Sequence, residues 1–105
     1  MAGSPDPRRV AEYANRIEAE MRRIGMWQET PLRPEQWQFT QAFAMDTMAF
    51  PQWLQFIFLP RVREAISTNR FPRSSSVGAQ AIREFDGLPE ASELVTLLAE
   101  FDGLF

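Results

Sequence analysis

The sequence predicts an all-α protein, a small four-helix bundle with an ordered, aromatic-rich loop between helices 1 and 2. Apolar residues recur at steps of three and four in several segments, which is the period of a helix with one buried face. The aromatic segment 53–59 is the best candidate for a strand, but no other segment is suited to pair with it. We expect helices at 6–24, 51–68, 76–86 and 89–102, within a single domain of residues 1–105.

The composition excludes several kinds of catalytic site. The chain has 105 residues, of which 45% are hydrophobic, and a net charge of −3. It contains no histidine, cysteine or lysine, so all 11 basic residues are arginine. These absences exclude cysteine nucleophiles, Ser-His-Asp triads, Schiff-base lysines and zinc sites made of His or Cys. We expect no enzyme activity, no cofactor and no metal site, although carboxylates leave acid–base chemistry or weak Mg²⁺ binding open.

The distribution of apolar residues bears on location. The longest nearly apolar run, residues 53–59, is much shorter than the ~20 residues that span a bilayer. The first residues lack the apolar core of a secretory signal. We therefore expect a cytoplasmic protein that does not bind membranes.

The first helix has the clearest pattern. Asp6 followed by Pro7 is a favourable start, and Gly25 is a favourable stop. One narrow apolar seam lies between them, formed by Val10, Ala14, Ile17, Met21 and Ile24. A single narrow seam of this kind predicts an amphipathic helix.

Helical periodicity stops between Met26 and Ala44. Pro31 and Pro34 interrupt the segment, and its aromatic residues are irregularly spaced. We predict an ordered loop with a single turn opening at Pro34, lying over the bundle with its aromatic side chains turned inward. These side chains are Trp27, Trp37, Phe39 and Phe43.

The second helix is expected to begin at Pro51, because a residue before proline is pushed out of the α region and Phe50 should be extended. Asp46 should then accept a hydrogen bond from the amide of Met48 or Ala49 in a local turn. The first half of this helix is apolar around its whole circumference, which predicts that it is central in the bundle.

Gln55 and Pro60 interrupt the apolar part of the second helix. A proline inside a helix leaves the carbonyl four residues earlier, that of Phe56, without its donor and bends the helix. Gln55 lies on the same face as Val62 and Ile66. We therefore expect its amide to be buried and to serve a free carbonyl near the bend.

The last two helices are short. Pro89 is expected to open the fourth helix. The pentapeptide EFDGL occurs at 84–88 and again at 100–104, each time where a helix should end with a glycine. We assign the second copy no separate role.

The stretch Met45-Asp46-Thr47-Met48, followed by Trp53-Leu54-Gln55 and Pro60-Arg61, resembles the YqcC-like family of small bacterial proteins. The resemblance implies a small all-α bundle and supplies no catalytic residues. Its characteristic residues in this chain are Asp46, Thr47, Trp53, Gln55 and Pro60. In the family one residue separates DTM from the proline, whereas two residues, Ala49 and Phe50, separate them here.

Names in this family are sometimes linked to tRNA pseudouridine synthase. Such a synthase requires a much larger mixed α/β catalytic domain than 105 residues can form. The resemblance therefore implies no synthase activity, and an accessory role beside such an enzyme remains open.

Two functions remain as hypotheses. The surplus of aromatic and methionine side chains favours a module that binds another protein. Residues 61–73 carry four arginines and one glutamate, a net charge of +3, whereas residues 74–105 carry one arginine and six acids, a net charge of −5. This asymmetry suggests the alternative, an accessory protein associated with RNA through an arginine patch.

The candidate binding residues lie at the end of the second helix and in the following loop. Arginine and aromatic residues are enriched at binding hot spots, and this segment contains both. The candidates are Arg61, Arg63, Arg70, Phe71 and Arg73. A competing interpretation is that these arginines pair within the molecule with acids of the last helices, such as Glu90 or Glu93.

Overall fold

Residues 5–105 are described in a computed structural model, and this part of the chain contains four helices and no strand. Helix α1 spans Pro7–Arg23. Helix α2 runs continuously through three parts, α-helical at Phe50–Trp53, π-helical at Leu54–Phe58 and α-helical at Leu59–Thr68. Helices α3 and α4 span Val77–Glu84 and Ser92–Asp102. The predicted all-α bundle is confirmed, and the first four residues of the predicted domain lie outside the described residues.

Both ends of α1 follow from its sequence. The Asp6 carboxylate accepts a hydrogen bond of 3.0 Å from the amide of Arg8. At the other end Gly25 adopts a φ of 79°, and the amide of Met26 reaches back to the carbonyl of Met21 at 2.8 Å. A left-handed glycine with this long backward bond is the common helix stop that the sequence predicts.

Helix α2 is the centre of the bundle, as expected. Leu54 is fully buried and Leu59 nearly so, whereas most side chains after Pro60 reach the surface. The helix begins at Phe50, one residue earlier than predicted, and the extended residue is Ala49. Pro51 is tolerated there because amides of the first helical turn have no partner within the helix.

A π-helical turn precedes Pro60. The amide of Leu59 bonds to the carbonyl of Leu54, five residues earlier, rather than to the residue four positions back. A widened turn is one way in which a helix accommodates an interior residue that disturbs its hydrogen-bond ladder. The sequence indicates a disturbance at this point, and the fold resolves it with a π-turn.

The loop between α1 and α2 contains two 3₁₀ turns, Pro34–Trp37 and Ala42–Ala44. The turn at Pro34 is confirmed. Trp27, Phe39 and Phe43 pack against the core, but Trp37 is 49% exposed, so the inward orientation predicted for it is wrong. The tight turn instead directs the neighbouring Gln36 inward, where it is buried.

Helices α3 and α4 pack closely, and the second EFDGL copy supplies the link between them. The Asp102 carboxylate accepts hydrogen bonds from the amides of Val77 at 3.0 Å and Gly78 at 2.7 Å, and from the Ser75 hydroxyl at 2.5 Å. It therefore caps the start of α3 from the end of α4, a role that the sequence analysis did not assign.

No helix in the described part of the chain combines the length and apolar character needed to cross a bilayer.

Candidate functional site

The segment before α2 contains two residues in a conformation that side chains rarely adopt. Phe43 and Ala44 have φ angles of 57° and 52°. Left-handed backbone at two successive residues other than glycine is uncommon, and the surrounding contacts must hold it in place. The MDTM motif follows directly and provides several of these contacts.

Asp46 holds the chain that precedes it. One carboxylate oxygen accepts bonds of 3.0 Å from both the amide and the hydroxyl of Thr40, and the other faces the amide of Gln41 at 3.4 Å. The predicted bond to Met48 or Ala49 is wrong. The Met48 amide bonds to the carbonyl of Ala44, and the Ala49 amide is taken by a side chain of α2.

The same hydrogen bonds favour the ionised form of Asp46. The backbone amide of Thr40 makes the largest contribution to lowering the pKa of this carboxyl below its ordinary value, and the Thr40 hydroxyl adds to it. Asp46 is therefore a charged anchor of the loop.

Thr47 fastens the same loop at a second point. Its hydroxyl donates to the carbonyl of Gln36 at 2.7 Å, and the Gln36 amide donates to the carbonyl of Thr47 at 3.3 Å. The side-chain oxygen of Gln36 accepts a hydrogen bond of 2.9 Å from the backbone N–H of Arg33. The polar part of the MDTM motif thus fixes the loop against the start of α2.

The side-chain amide of Gln55 is hydrogen-bonded, as predicted, but to other partners than expected. Its amide oxygen accepts from the backbone N–H of Gln28 at 3.0 Å, and its amide nitrogen donates to the carbonyl of Gln28 at 2.8 Å. The prediction that Gln55 donates a hydrogen bond to a backbone carbonyl left free by Pro60 is therefore wrong. Gln55 is half-buried rather than fully buried. The loop after α1 lies beside it, and the backbone groups of Gln28 find their partners in its amide.

Trp53 is the large buried aromatic residue of the motif. Its ring packs against Phe43 at 4.9 Å, Phe50 at 5.7 Å and Phe58 at 5.6 Å between ring centroids. These contacts join the strained turn to the central helix. Trp53 also forms part of the wall of a pocket that contains Arg61.

Arg63 is held within the molecule. Its guanidinium donates to Glu18 at 2.6 Å and to Asn15 at 3.1 Å, both on α1. The predicted internal partners, Glu90 and Glu93, are wrong for this residue. The third part of α2 packs directly against α1, which brings the two charges together.

The other three arginines of the predicted set are exposed. Arg61, Arg70 and Arg73 form no ion pair within residues 5–105. Arg61 and Arg70 line the same polar hollow beside Glu64 and Thr68. Arg73 lies further along the loop that contains Phe71. The structure therefore brings Arg61 and Arg70 to one surface and directs Arg63 to another helix.

Next to these arginines is an apolar pocket of about 340 Å³, called here the Arg61 pocket. It opens between α1, α2, the loop after α2 and the chain's last residues. Arg61 and the loop serines Ser74 and Ser75 are its polar residues. The main apolar wall comprises Val10, Trp53, Phe58, Phe71, Phe101 and Phe105.

Sequence reasoning placed Arg61 and Phe71 in the candidate site but missed the opposite wall. Phe101 packs on Phe58 at 5.2 Å and on Phe105 at 5.1 Å, and Phe71 lies 6.1 Å from Phe105. Two phenylalanines among the last five residues, Phe101 and Phe105, could have indicated this wall. Helical periodicity by itself assigns Phe101 only to the core. The fold and site together define a small all-α protein with an arginine-bearing apolar pocket.

Comparison with known proteins agrees with this class. The family model DUF446, described as tRNA pseudouridine synthase C, matches residues 9–104, so the chain belongs to that family. A protein of Escherichia coli described as uncharacterized protein YqcC is 28% identical over 96 residues, covering 91% of this chain and 87% of that protein. An uncharacterized protein of Haemophilus influenzae is 26% identical over 97 residues, covering 89% of each. The resemblance to the YqcC-like family is confirmed.

A different kind of similarity involves an enzyme. A protein of Pectobacterium carotovorum described as tRNA pseudouridine synthase C is 37% identical over 59 residues, covering 55% of this chain but 16% of that protein. No solved structure matches the chain.

Proposed function

We propose that this chain is a non-catalytic, cytoplasmic module that binds another protein through Arg61, Arg70, Phe71 and Arg73. The observation that carries the proposal is the placement of exposed arginines without ion pairs, within residues 5–105, beside a pocket with an aromatic wall. Arginine and aromatic residues are enriched in the parts of interfaces that contribute most to affinity. Arg63 does not belong to this surface, and its ion pair with Glu18 holds α2 against α1.

The relatives supply a reason to look for the partner near tRNA modification. The segment shared with the Pectobacterium carotovorum synthase makes up 16% of that protein, so it is covalently joined there to a much larger remainder. In the relatives from Escherichia coli and Haemophilus influenzae the matched segment makes up 87% and 89% of the protein. A module that is a small part of one relative and most of another is a candidate for a non-covalent partner of the same enzyme. We propose such a synthase as the first partner to test.

A second candidate function is association with RNA through the same exposed arginines. The net charge of +3 over residues 61–73 favours it, and the net charge of −5 over residues 74–105 opposes it. Binding of RNA releases counterions, so its affinity falls steeply with added salt. If three arginines neutralise phosphates of single-stranded RNA, the logarithm of the association constant should fall with the logarithm of salt with a slope of about −2.

The experiment compares two double variants of the full chain. Arg70→Glu with Arg73→Glu reverses the proposed surface, whereas Arg8→Glu with Arg33→Glu reverses the same number of exposed charges elsewhere. Binding to a purified tRNA pseudouridine synthase C and to purified tRNA is measured at low and moderate salt.

The protein-binding proposal expects the first variant to lose binding to the synthase and the second to keep it. Salt-sensitive binding to tRNA, without binding to the synthase, would support the RNA alternative. A synthase complex that survives both double variants unchanged would place the interface on another face.

A further inference from the structure

We propose that the Arg61 pocket binds a small amphipathic anion, an apolar chain of medium length that ends in a carboxylate. This goes beyond the proposed binding of another protein and does not depend on it. The pocket has the volume, the lining and the single charged residue that such a molecule requires.

The size and lining of the pocket favour a small molecule. Its volume of about 340 Å³ lies at the lower end of the ~300–1,000 Å³ of small-molecule sites. Most of its wall is apolar, formed by aromatic rings from α2, the following loop and the last residues of the chain. An apolar wall of this kind favours binding of a hydrocarbon ligand because it removes the ligand's apolar surface from water.

The charge of the ligand follows from Arg61. Arg61 lines both the pocket and the polar hollow beside it, and its side chain forms no ion pair within residues 5–105. Arg70 lines the same hollow and adds positive charge there, which Glu64 partly offsets. A carboxylate at the end of an apolar chain could therefore bond to Arg61 while the chain occupies the aromatic wall.

The test uses octanoate, octanol and octylamine as probes, which share the chain and differ in the head group. Each is titrated into the 105-residue chain by calorimetry, below the concentration at which the probe aggregates. Octanoate is expected to bind at least about tenfold more tightly than octanol and more tightly still than octylamine, because only octanoate complements Arg61. From butanoate to octanoate, each added CH₂ should tighten binding by up to about fourfold.

Variants separate the charge from the apolar wall. Arg61→Gln should weaken octanoate about tenfold and leave octanol unchanged, whereas Arg33→Gln, an exposed arginine of the first loop, should change neither. Ala65→Phe, which fills the pocket from α2, should abolish binding of all three probes. Thermal unfolding of each variant shows whether it is folded.

The proposal is overturned if octylamine or octanol binds as tightly as octanoate, or if affinity does not depend on chain length. It is also overturned if Arg61→Gln folds and binds octanoate like the unmodified chain. If Arg61→Gln does not fold, the comparison of the three head groups on the unmodified protein still decides the question.

Discussion

Replacing Gln55 by glutamate tests whether this side chain holds the first loop against α2. In the structure the Gln55 amide both accepts from and donates to the backbone of Gln28, at 3.0 and 2.8 Å. Gln55→Glu preserves the shape and the acceptor, but at neutral pH it removes the donor. A carboxylate oxygen then faces the Gln28 carbonyl oxygen at the position of the former 2.8 Å bond.

The magnitude follows from these two contacts. Losing a hydrogen bond costs about 0.5–1.5 kcal/mol, and leaving a buried carbonyl unpaired costs about 1–3 kcal/mol. Because Gln55 is half-buried, water can reach part of the site, so we expect a total loss of about 1–3 kcal/mol in the free energy of unfolding. In a domain of this size that loss lowers the unfolding temperature by several degrees.

The pH dependence has a definite sign. A protonated glutamic acid can both donate and accept, so it can reproduce both bonds to Gln28. The folded protein should therefore raise the pKa of this glutamate above its unfolded value of about 4.3. The stability contributed by the protonated form is fully present below the unfolded pKa and is lost as the pH rises through the folded pKa. The deficit should be small below about pH 4 and fully developed at neutral pH.

Gln52→Glu is the matched control, one helical turn earlier. The Gln52 side-chain oxygen accepts from the amide of Ala49 at 2.9 Å, at the start of α2. A carboxylate performs that role well and is favoured by the helix dipole. It cannot replace the 3.1 Å bond that the Gln52 side-chain nitrogen donates to the side-chain oxygen of Gln28, so a loss smaller than that of Gln55→Glu is expected at neutral pH. Urea unfolding followed by far-UV circular dichroism, at several pH values, compares both variants with the unmodified chain.

Two results would refute this reasoning. One is a Gln55→Glu variant as stable as the unmodified protein at neutral pH. The other is a deficit that persists unchanged at low pH, relative to Gln52→Glu at the same pH. Either result would mean that the loop is held by other contacts.

Three further predictions concern how the helices are joined. Gly78→Ala places a Cβ 2.6 Å from the backbone of α4, so it should cost about 1–3 kcal/mol in urea unfolding, whereas Gly103→Ala should change stability little. Equal stability of the two variants would show that α3 and α4 can separate without loss. Asp102→Ala removes the cap of α3 and should cost about 1–2 kcal/mol, and an unchanged unfolding midpoint would contradict that role. A double-mutant cycle on Arg63 and Glu18 should give a coupling free energy of about 0.2–1 kcal/mol that falls at high salt. A coupling of zero at low salt would show that this ion pair does not contribute to stability.

The sequence by itself determined which segments are helical and where several of them begin and end. The signals for α1 are its apolar seam, its Asp6 cap and its Gly25 stop. Each of these signals involves residues only a few positions apart in the sequence. Such signals are local, so they can be recognised without the rest of the molecule. The apolar circumference of α2 likewise required only the helical period to indicate a central helix.

Part of the candidate site was also accessible from the sequence. Arginine and aromatic residues after Pro60 indicated a binding surface because of their chemistry. The segment's net charge of +3 drew attention to the same residues. Composition and charge identify candidate residues, but they do not show which of these residues lie close together in the folded protein.

Only the tertiary structure decided the partners of the polar side chains. Asp46 bonds backward to Thr40 because left-handed backbone turns the loop, and Gln55 bonds to Gln28 because a distant loop lies beside α2. Arg63 turns to Glu18 because α1 packs against that end of α2. Each partner is far along the chain or depends on an unusual turn. Helical periodicity specifies which face of a helix is buried, but it contains no information about what packs against that face.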